Sequence, residues 1–309
     1  MTDKSNCAKH YQIDWENYYP DVADGMHVVF GERADSFRCT LVPNIVYACQ
    51  NRPLHLQLLK PVTPIPEKRY PLIVYVQGSG FRAQEIFKPV LQMARFVQSG
   101  YLVACVEYRH TDEGCLFPTQ ICDVKTAIRF LRQHAGEYQI DVDRIGIWGD
   151  SSGGHTAAMV GVTSGIEEFD NPNDDKSYSC DVKCVVDFYG IADMVKQAKL
   201  KITPEQLEYF KGDPIQKLFG GKIDENMGLI KKACVMPYIT SGKKLPPFLL
   251  IHGDEDDKVP FWQSIILYNA LKECNASAEF YKVKGGGHGH RTWTPEVMAI
   301  VEKFLQAYL

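Results

Sequence analysis

A chain of 309 residues, 45% apolar and 23% charged, is large enough to bury a substantial core and has the composition of a soluble globular protein. A formal net charge of −4 leaves no basic footprint for nucleic acid or an anionic membrane surface. No apolar run approaches the length that spans a bilayer, and the opening Met1-Thr2-Asp3-Lys4-Ser5-Asn6 lacks the apolar stretch of a secretory signal, so a cytoplasmic location is expected.

Residues 1–40 are polar and aromatic, with Tyr11, Trp15, Tyr18 and Tyr19, and read as an extension that packs on the main body. A hairpin is expected next. Ile45-Val46-Tyr47 leads to a turn at Asn51-Arg52-Pro53, and Leu54-His55-Leu56-Gln57-Leu58 alternates with strand period. Leu72–Val76 and Leu102–Val106 are continuous apolar runs, as central strands covered on both faces require. Val124, Ala127, Ile128 and Leu131 keep helical spacing between Asp123 and His134. Ile145–Trp148, Cys184–Phe188 and Phe248–Ile251 supply further strands, and Ala278–Val283 reads as a more exposed edge strand. A last helical stripe runs through Val297, Ile300, Val301, Phe304 and Leu305. The alternation predicts an α/β fold with a mostly parallel sheet between helical layers. A polar loop over about 164–181 and a small cap over about 190–240 interrupt it, at the carboxyl ends of strands where such sheets bind ligands. The ten cysteines, without a C-x-x-C pair, are expected as reduced thiols, with Cys105 and Cys184 acting as small hydrophobes in apolar runs.

Gly149-Asp150-Ser151-Ser152-Gly153-Gly154 carries the chemistry. It follows the Ile145 strand and opens the small-residue stretch His155-Thr156-Ala157-Ala158-Met159-Val160. Gly149, Ser151 and Gly153 match G-x-S-x-G, the sharp strand-to-helix turn that lifts a serine oxygen above a parallel sheet. The helix N-terminus under it favours developing negative charge. The likeness to the GDSGG of chymotrypsin-like proteases fails on class, since those are all-β, secreted, and place the serine last in chain order.

A nucleophilic serine needs a base, and the base an orienting acid, in the order serine, acid, histidine. Two downstream turns fit. His252-Gly253-Asp254-Glu255-Asp256-Asp257 follows the Phe248 strand, and Gly285-Gly286-Gly287-His288-Gly289-His290 follows the Ala278 strand. The acidic turn fails as a calcium loop, because Val259 and Ile265 stand where glycine and glutamate are needed when counting from Asp254. His288 and His290 lack the further ligands of a zinc set, and either could be the catalytic base. His155, His252 and His55 read as structural. Upstream, Gln77-Gly78-Ser79-Gly80-Phe81 ends the Leu72 strand with small residues, where backbone N–H groups join that of Ser152 in an oxyanion hole. It is no dinucleotide fingerprint, because no third glycine follows Gly78 and Gly80 at the required distance.

In combination, GDSSGGH at 149–155, DFYGIAD at 187–193, HGDEDDKVP at 252–260 and GGGHG at 285–289 resemble an α/β-hydrolase of the bacterial esterase/lipase group that includes acetylxylan and feruloyl esterases. The resemblance covers roughly 45–309. It implies Ser151 as nucleophile, Asp256 as acid on its spacing to Val259-Pro260, and His288 as base. Many relatives carry H-G-G-G-W where this chain has Gln77 to Phe81, so the loop donors fall to Ser79 or Gly80. It further implies no cofactor or metal, and a small-molecule or oligosaccharide ester as substrate, with acetyl or feruloyl esters of plant sugars foremost. An arylformamidase, a small peptidase of the same fold, and a non-catalytic binding protein are the alternatives. A peptidase would need a gating domain for which this length leaves no room, and a binding protein would usually have lost a triad member.

Overall fold

The computed structural model describes residues 25–27, 38–62 and 65–309. The chain divides into Met1–Asp35 and Ser36–Leu309. The expected packing of the N-terminal extension lies outside the described residues. Among the described residues, every strand and helix belongs to the second unit.

An antiparallel hairpin, β1 (Cys39–Cys49) and β2 (Pro53–Pro61), opens the unit. It is followed by β3 (Tyr70–Val76), α1 (Val90–Gln98), β4 (Leu102–Val106), α2 (Thr119–Gln133) and α3 (Ala135–Tyr138). Next come β5 (Ile140–Asp150), α4 (Ser152–Val162) and β6 (Val185–Phe188). Four short helices occupy the region expected as a cap, namely α5 (Met194–Ala198), α6 (Pro204–Tyr209), α7 (Pro214–Phe219) and α8 (Met227–Lys232). The chain finishes with β7 (Phe248–Gly253), α9 (Trp262–Glu273), β8 (Ala278–Val283) and α10 (Pro295–Tyr308).

The eight strands form one sheet in the order β1-β2-β4-β3-β5-β6-β7-β8. Pairing is antiparallel from β1 through β2 to β4 and parallel from β4 to β8. Successive side chains of a strand point to opposite faces, and this divides the core in two. Leu72, Val74, Ile145, Ile147 and Leu250 face α2, α4 and α9. Ile73, Tyr75, Trp148, Val186 and Ile251 face α1 and α10. The inner strands are buried along their whole apolar runs, whereas β8 alternates between exposed and half-buried positions, as an edge strand does. Every residue of α4 is buried, which explains why its sequence is made of small and apolar residues, with the ring nitrogen of His155 and the hydroxyl of Thr156 each bonded to a backbone carbonyl. The nine cysteines among the described residues are free thiols. No helix among those residues is long and apolar enough to cross a membrane.

Candidate active site

The site forms where β5 gives way to α4. Ser151 takes φ +54° and ψ −122°, a conformation rare for a residue with a side chain, and it caps α4 with no side-chain hydrogen bond to the helix. Its N–H donates to Phe188 O at 2.8 Å, and its carbonyl accepts from His155 N–H at 3.0 Å. Close approach of the backbone dictates the flanking residues. A Cβ at Gly149 would stand 2.0 Å from the Gly153 carbonyl oxygen, and one at Gly153 would stand 2.0 Å from that of Val76.

The turn after β7 and the turn after β8 bring their side chains to this serine. His288 Nε2 lies 2.9 Å from Ser151 Oγ, and His288 Nδ1 lies 2.8 Å from Asp256 Oδ2. A carboxylate only accepts, so the proton sits on Nδ1 and Nε2 is free to take one from the serine. Asp256 Oδ1 accepts the N–H groups of Lys258 and Val259 at 2.8 and 2.9 Å. Burial alone would push the Asp256 carboxyl up. Hydrogen bonds from His252, His288 and the Val259 N–H overcome that and hold it well below the usual carboxylate range.

The neighbouring candidates are placed differently. Asp254 accepts the Gly285 N–H at 2.6 Å and pairs with Lys282, tying the two turns together. Asp257 is exposed. His290 is exposed and gives its backbone to the turn, where its N–H donates to His288 O and its carbonyl accepts from Gly287. Among the described residues no group of three or more His, Cys, Asp or Glu side chains is arranged as a metal ligand set.

The expected oxyanion donors need one correction. The N–H of Ser79 donates to Ser152 Oγ at 2.9 Å, so this donor is already used inside the protein. Gly80, with φ +63°, borders the same cavity as Ser151 and Ser152. Ser152 begins α4, so its N–H has no partner within the helix. Asp150 and Gln77 hold the loop in place. Asp150 Oδ1 accepts both the Tyr75 hydroxyl at 2.7 Å and the Gly78 N–H at 2.9 Å. Gln77 accepts the Glu85 N–H at 2.8 Å through Oε1.

Tyr189 is a further residue that sequence reading passes over. It has φ +44°, and its ring centroid lies 4.8 Å from that of His288. Its hydroxyl accepts the Trp293 indole N–H at 2.7 Å, and Trp293 stacks on Trp148 with centroids 5.4 Å apart. The DFYGIAD motif marks the position, but only the fold puts that ring against the histidine.

Two hollows meet at the serine. One, of about 270 Å³, runs under the cap and sets apolar side chains such as Ile191, Leu200, Ile202 and Ile215 beside Gln197, Lys201, Gln206 and Lys258. The other, of about 380 Å³, presents Gln77, Arg82, Lys88, Asp112, Asp150 and Tyr209. Gly80, Ser151, Phe210 and His288 border both. A serine with a basic nitrogen at its hydroxyl, at a helix N-terminus and where two hollows meet, is equipped for acyl transfer.

A family model described as BD-FAE matches residues 60–271, more than half of the chain. Esterase LipQ of Mycobacterium tuberculosis is 28% identical over 72% of this chain and 51% of its own length. Esterase LipC of the same organism is 26% identical over 73% of this chain and 54% of its own. The chain thus spans about half the length of the curated relatives it matches. Among solved structures, a truncated carbohydrate esterase from gut microbiota superposes with a TM-score of 0.71 at 28% identity, over 90% of this chain and 98% of that one. A bifunctional GH43-CE protein of Bacteroides eggerthii gives a TM-score of 0.75 at 28% identity, over 87% of this chain and 35% of that one. The fold is that of the α/β-hydrolase esterases.

Proposed function

The chain belongs to the BD-FAE family, and on that premise we propose that it is a serine carboxylesterase acting through an acyl-enzyme on Ser151. The observation that carries the reading is the unbroken relay from Ser151 Oγ to His288 Nε2 at 2.9 Å and from His288 Nδ1 to Asp256 Oδ2 at 2.8 Å. Ser151 attacks the ester carbonyl while His288 takes its proton, and Asp256 fixes the imidazole tautomer and steadies the imidazolium. The tetrahedral oxyanion rests on the N–H groups of Ser152 and Gly80. His288 returns the proton to the leaving alcohol. Water activated by the same nitrogen then releases the acid and restores the serine hydroxyl.

The two hollows divide the substrate. The one under the cap takes the acyl group, whose hydrocarbon part packs on Ile191, Leu200, Ile202 and Ile215. The polar one takes a carbohydrate alcohol, with Gln77, Arg82 and Asp112 as hydrogen-bonding groups and the exposed ring of Tyr209 as a platform. Acetyl and feruloyl esters of plant-derived carbohydrates combine both requirements. A panel of acetyl, longer aliphatic and cinnamoyl esters, each as a simple alkyl ester and on a sugar, tests the assignment. Turnover is expected to be faster on the sugar-borne ester of a given acid. Equal rates on alkyl and sugar esters would contradict the carbohydrate reading, and no turnover of any ester would overturn the esterase reading.

A further inference from the structure

We propose that His252 is a positioning residue for the reaction, acting through Asp256 as a second imidazole on the catalytic carboxylate. The proposal rests on the esterase reading of the site. Asp256 Oδ2, which receives His288 Nδ1 at 2.8 Å, is also approached by His252 Nε2 at 3.3 Å. The side chains of Asp256 and His252 are both fully buried, so no water supplies either contact. His252 is the last residue but one of β7 and stands four residues before Asp256, so the strand and the acidic turn hold this contact together.

The partners of the ring fix its protonation. The Val259 carbonyl lies 2.9 Å from Nε2 and can only accept, so Nε2 carries a hydrogen. Ser264 Oγ lies 2.7 Å from Nδ1 and donates its hydroxyl hydrogen there when the ring is neutral. Ser264 comes from α9, so a helix packed on the face of the sheet that His252 points to sets the tautomer that aims a donor at the acid. The Nε2 hydrogen is shared between the Val259 carbonyl and Asp256 Oδ2. The same Val259 gives its N–H to Asp256 Oδ1, so the carboxylate is gripped at both oxygens by one turn and one strand end.

The groups facing this chain of contacts are few. Around His252 stand Phe261 and Tyr189, with ring centroids at 5.4 and 6.2 Å. Around His288 stand Ser151, the Tyr189 ring and the Asp150 carboxylate. Around Asp256 stand the two imidazoles and the N–H groups of Lys258 and Val259, with the Tyr189 hydroxyl within electrostatic reach. The role of His252 follows from sharing one oxygen. Its hydrogen takes part of the negative charge of Oδ2 and keeps the carboxylate turned toward His288. Without it Oδ2 keeps only the His288 contact while Oδ1 stays on the Lys258 and Val259 N–H groups, and more of the charge of Oδ2 is left to stabilise the His288 imidazolium in the resting enzyme.

The test is steady-state kinetics across pH on the full chain, with a short-chain chromogenic ester, for wild type, His252→Leu, His252→Gln and Ser264→Ala. His252→Leu is expected to lower kcat about 10-fold or more with KM within about 3-fold, and to move the acid limb of kcat/KM to higher pH. His252→Gln restores a side-chain N–H near the place of Nε2 and is expected to recover most of kcat. Ser264→Ala leaves the ring in place without its orienting hydroxyl. It provides the reading if the histidine variants do not fold, with a loss of about 3-fold in kcat and a shift of the limb in the same direction. Folded variants that keep the kcat and acid limb of wild type overturn the proposal, as does a loss confined to KM or to melting temperature. Wild type turning over ester while Ser151→Ala does not separates this failure from that of the esterase reading. A wild type that turns over nothing overturns both.

Discussion

The backbone N–H of Ser79 donates to the side-chain oxygen of Ser152, 2.9 Å away, so the loop after β3 is bolted to the first turn of α4. The contact removes Ser79 from the set of oxyanion donors and at the same time sets the position of Gly80. Ser152→Ala keeps the backbone donor of residue 152 and loses only this bolt. Its kcat is expected to fall about 10-fold with little change in KM, as for a loosened transition-state contact. Gly80→Ala is expected to cost about 10²-fold or more, because φ is +63° and the new Cβ would stand 2.9 Å from the Phe210 ring. Steady-state kinetics on the two variants checks both values, and a Gly80→Ala enzyme with wild-type kcat would remove Gly80 from the hole.

Tyr189 offers its ring to His288 and its hydroxyl to Trp293, and the two contributions can be separated. Tyr189→Phe keeps the ring and strands the Trp293 indole N–H. It should lose about 1–2 kcal/mol of stability with kcat nearly unchanged. Tyr189→Ala removes the shelf under the imidazole and should lower kcat as well. Denaturant melts paired with initial rates decide this. Equal kcat for the two variants would show that the ring does not hold His288.

Asp187 gives the protein a pH-dependent stability. Burial pushes its carboxyl up to about 7, the nearby Asp150 adds to this, and the Gly190 N–H at 2.9 Å opposes it. An unfolded aspartate titrates near 3.9. Between roughly pH 4 and 7 the folded state therefore keeps a proton that the unfolded chain has released, so this group lowers stability as pH rises through that window. His155, held down to about 4 by burial, acts with the opposite sign between pH 4 and its unfolded value. The comparison of wild type with Asp187→Asn cancels the His155 contribution. Asparagine retains an acceptor for Gly190 and cannot ionise, so the variant should melt above wild type at pH 8 and lose that advantage by pH 5. A difference independent of pH would contradict the assignment.

The parts of this site legible in the sequence are those written locally. The elbow is legible because Gly149 answers a backbone contact with Gly153 made within five residues, and strand and helix periods flank it on either side. The histidine and acid turns are legible because each follows an apolar strand in the required chain order. The choice within the acidic turn is not local. Asp254 and Asp256 stand two residues apart in one polar cluster, and they part only where Asp254 reaches Gly285 and Asp256 reaches His288. The same holds for the Ser79 bolt, the Tyr189 shelf and the contact of His252 with Asp256. The bolt and the shelf arise from elements that the parallel sheet brings side by side, and the His252 contact, though it spans only four residues, is made by the way the turn after β7 folds the acid back onto the ring. His252 looks structural in the sequence because its place at a strand end suits a buried side chain, and its packing bears that out, yet the same packing puts it on the catalytic acid.

The whole mechanism stands or falls on Ser151 as the nucleophile, and intact-mass measurement after treatment with a fluorophosphonate addresses this directly. Wild type should gain one phosphonyl group, located on Ser151 by peptide mapping, and lose ester turnover in step with labelling. Ser151→Ala should neither label nor turn over. Labelling that persists in Ser151→Ala, or an unlabelled wild type that still hydrolyses ester, would contradict it.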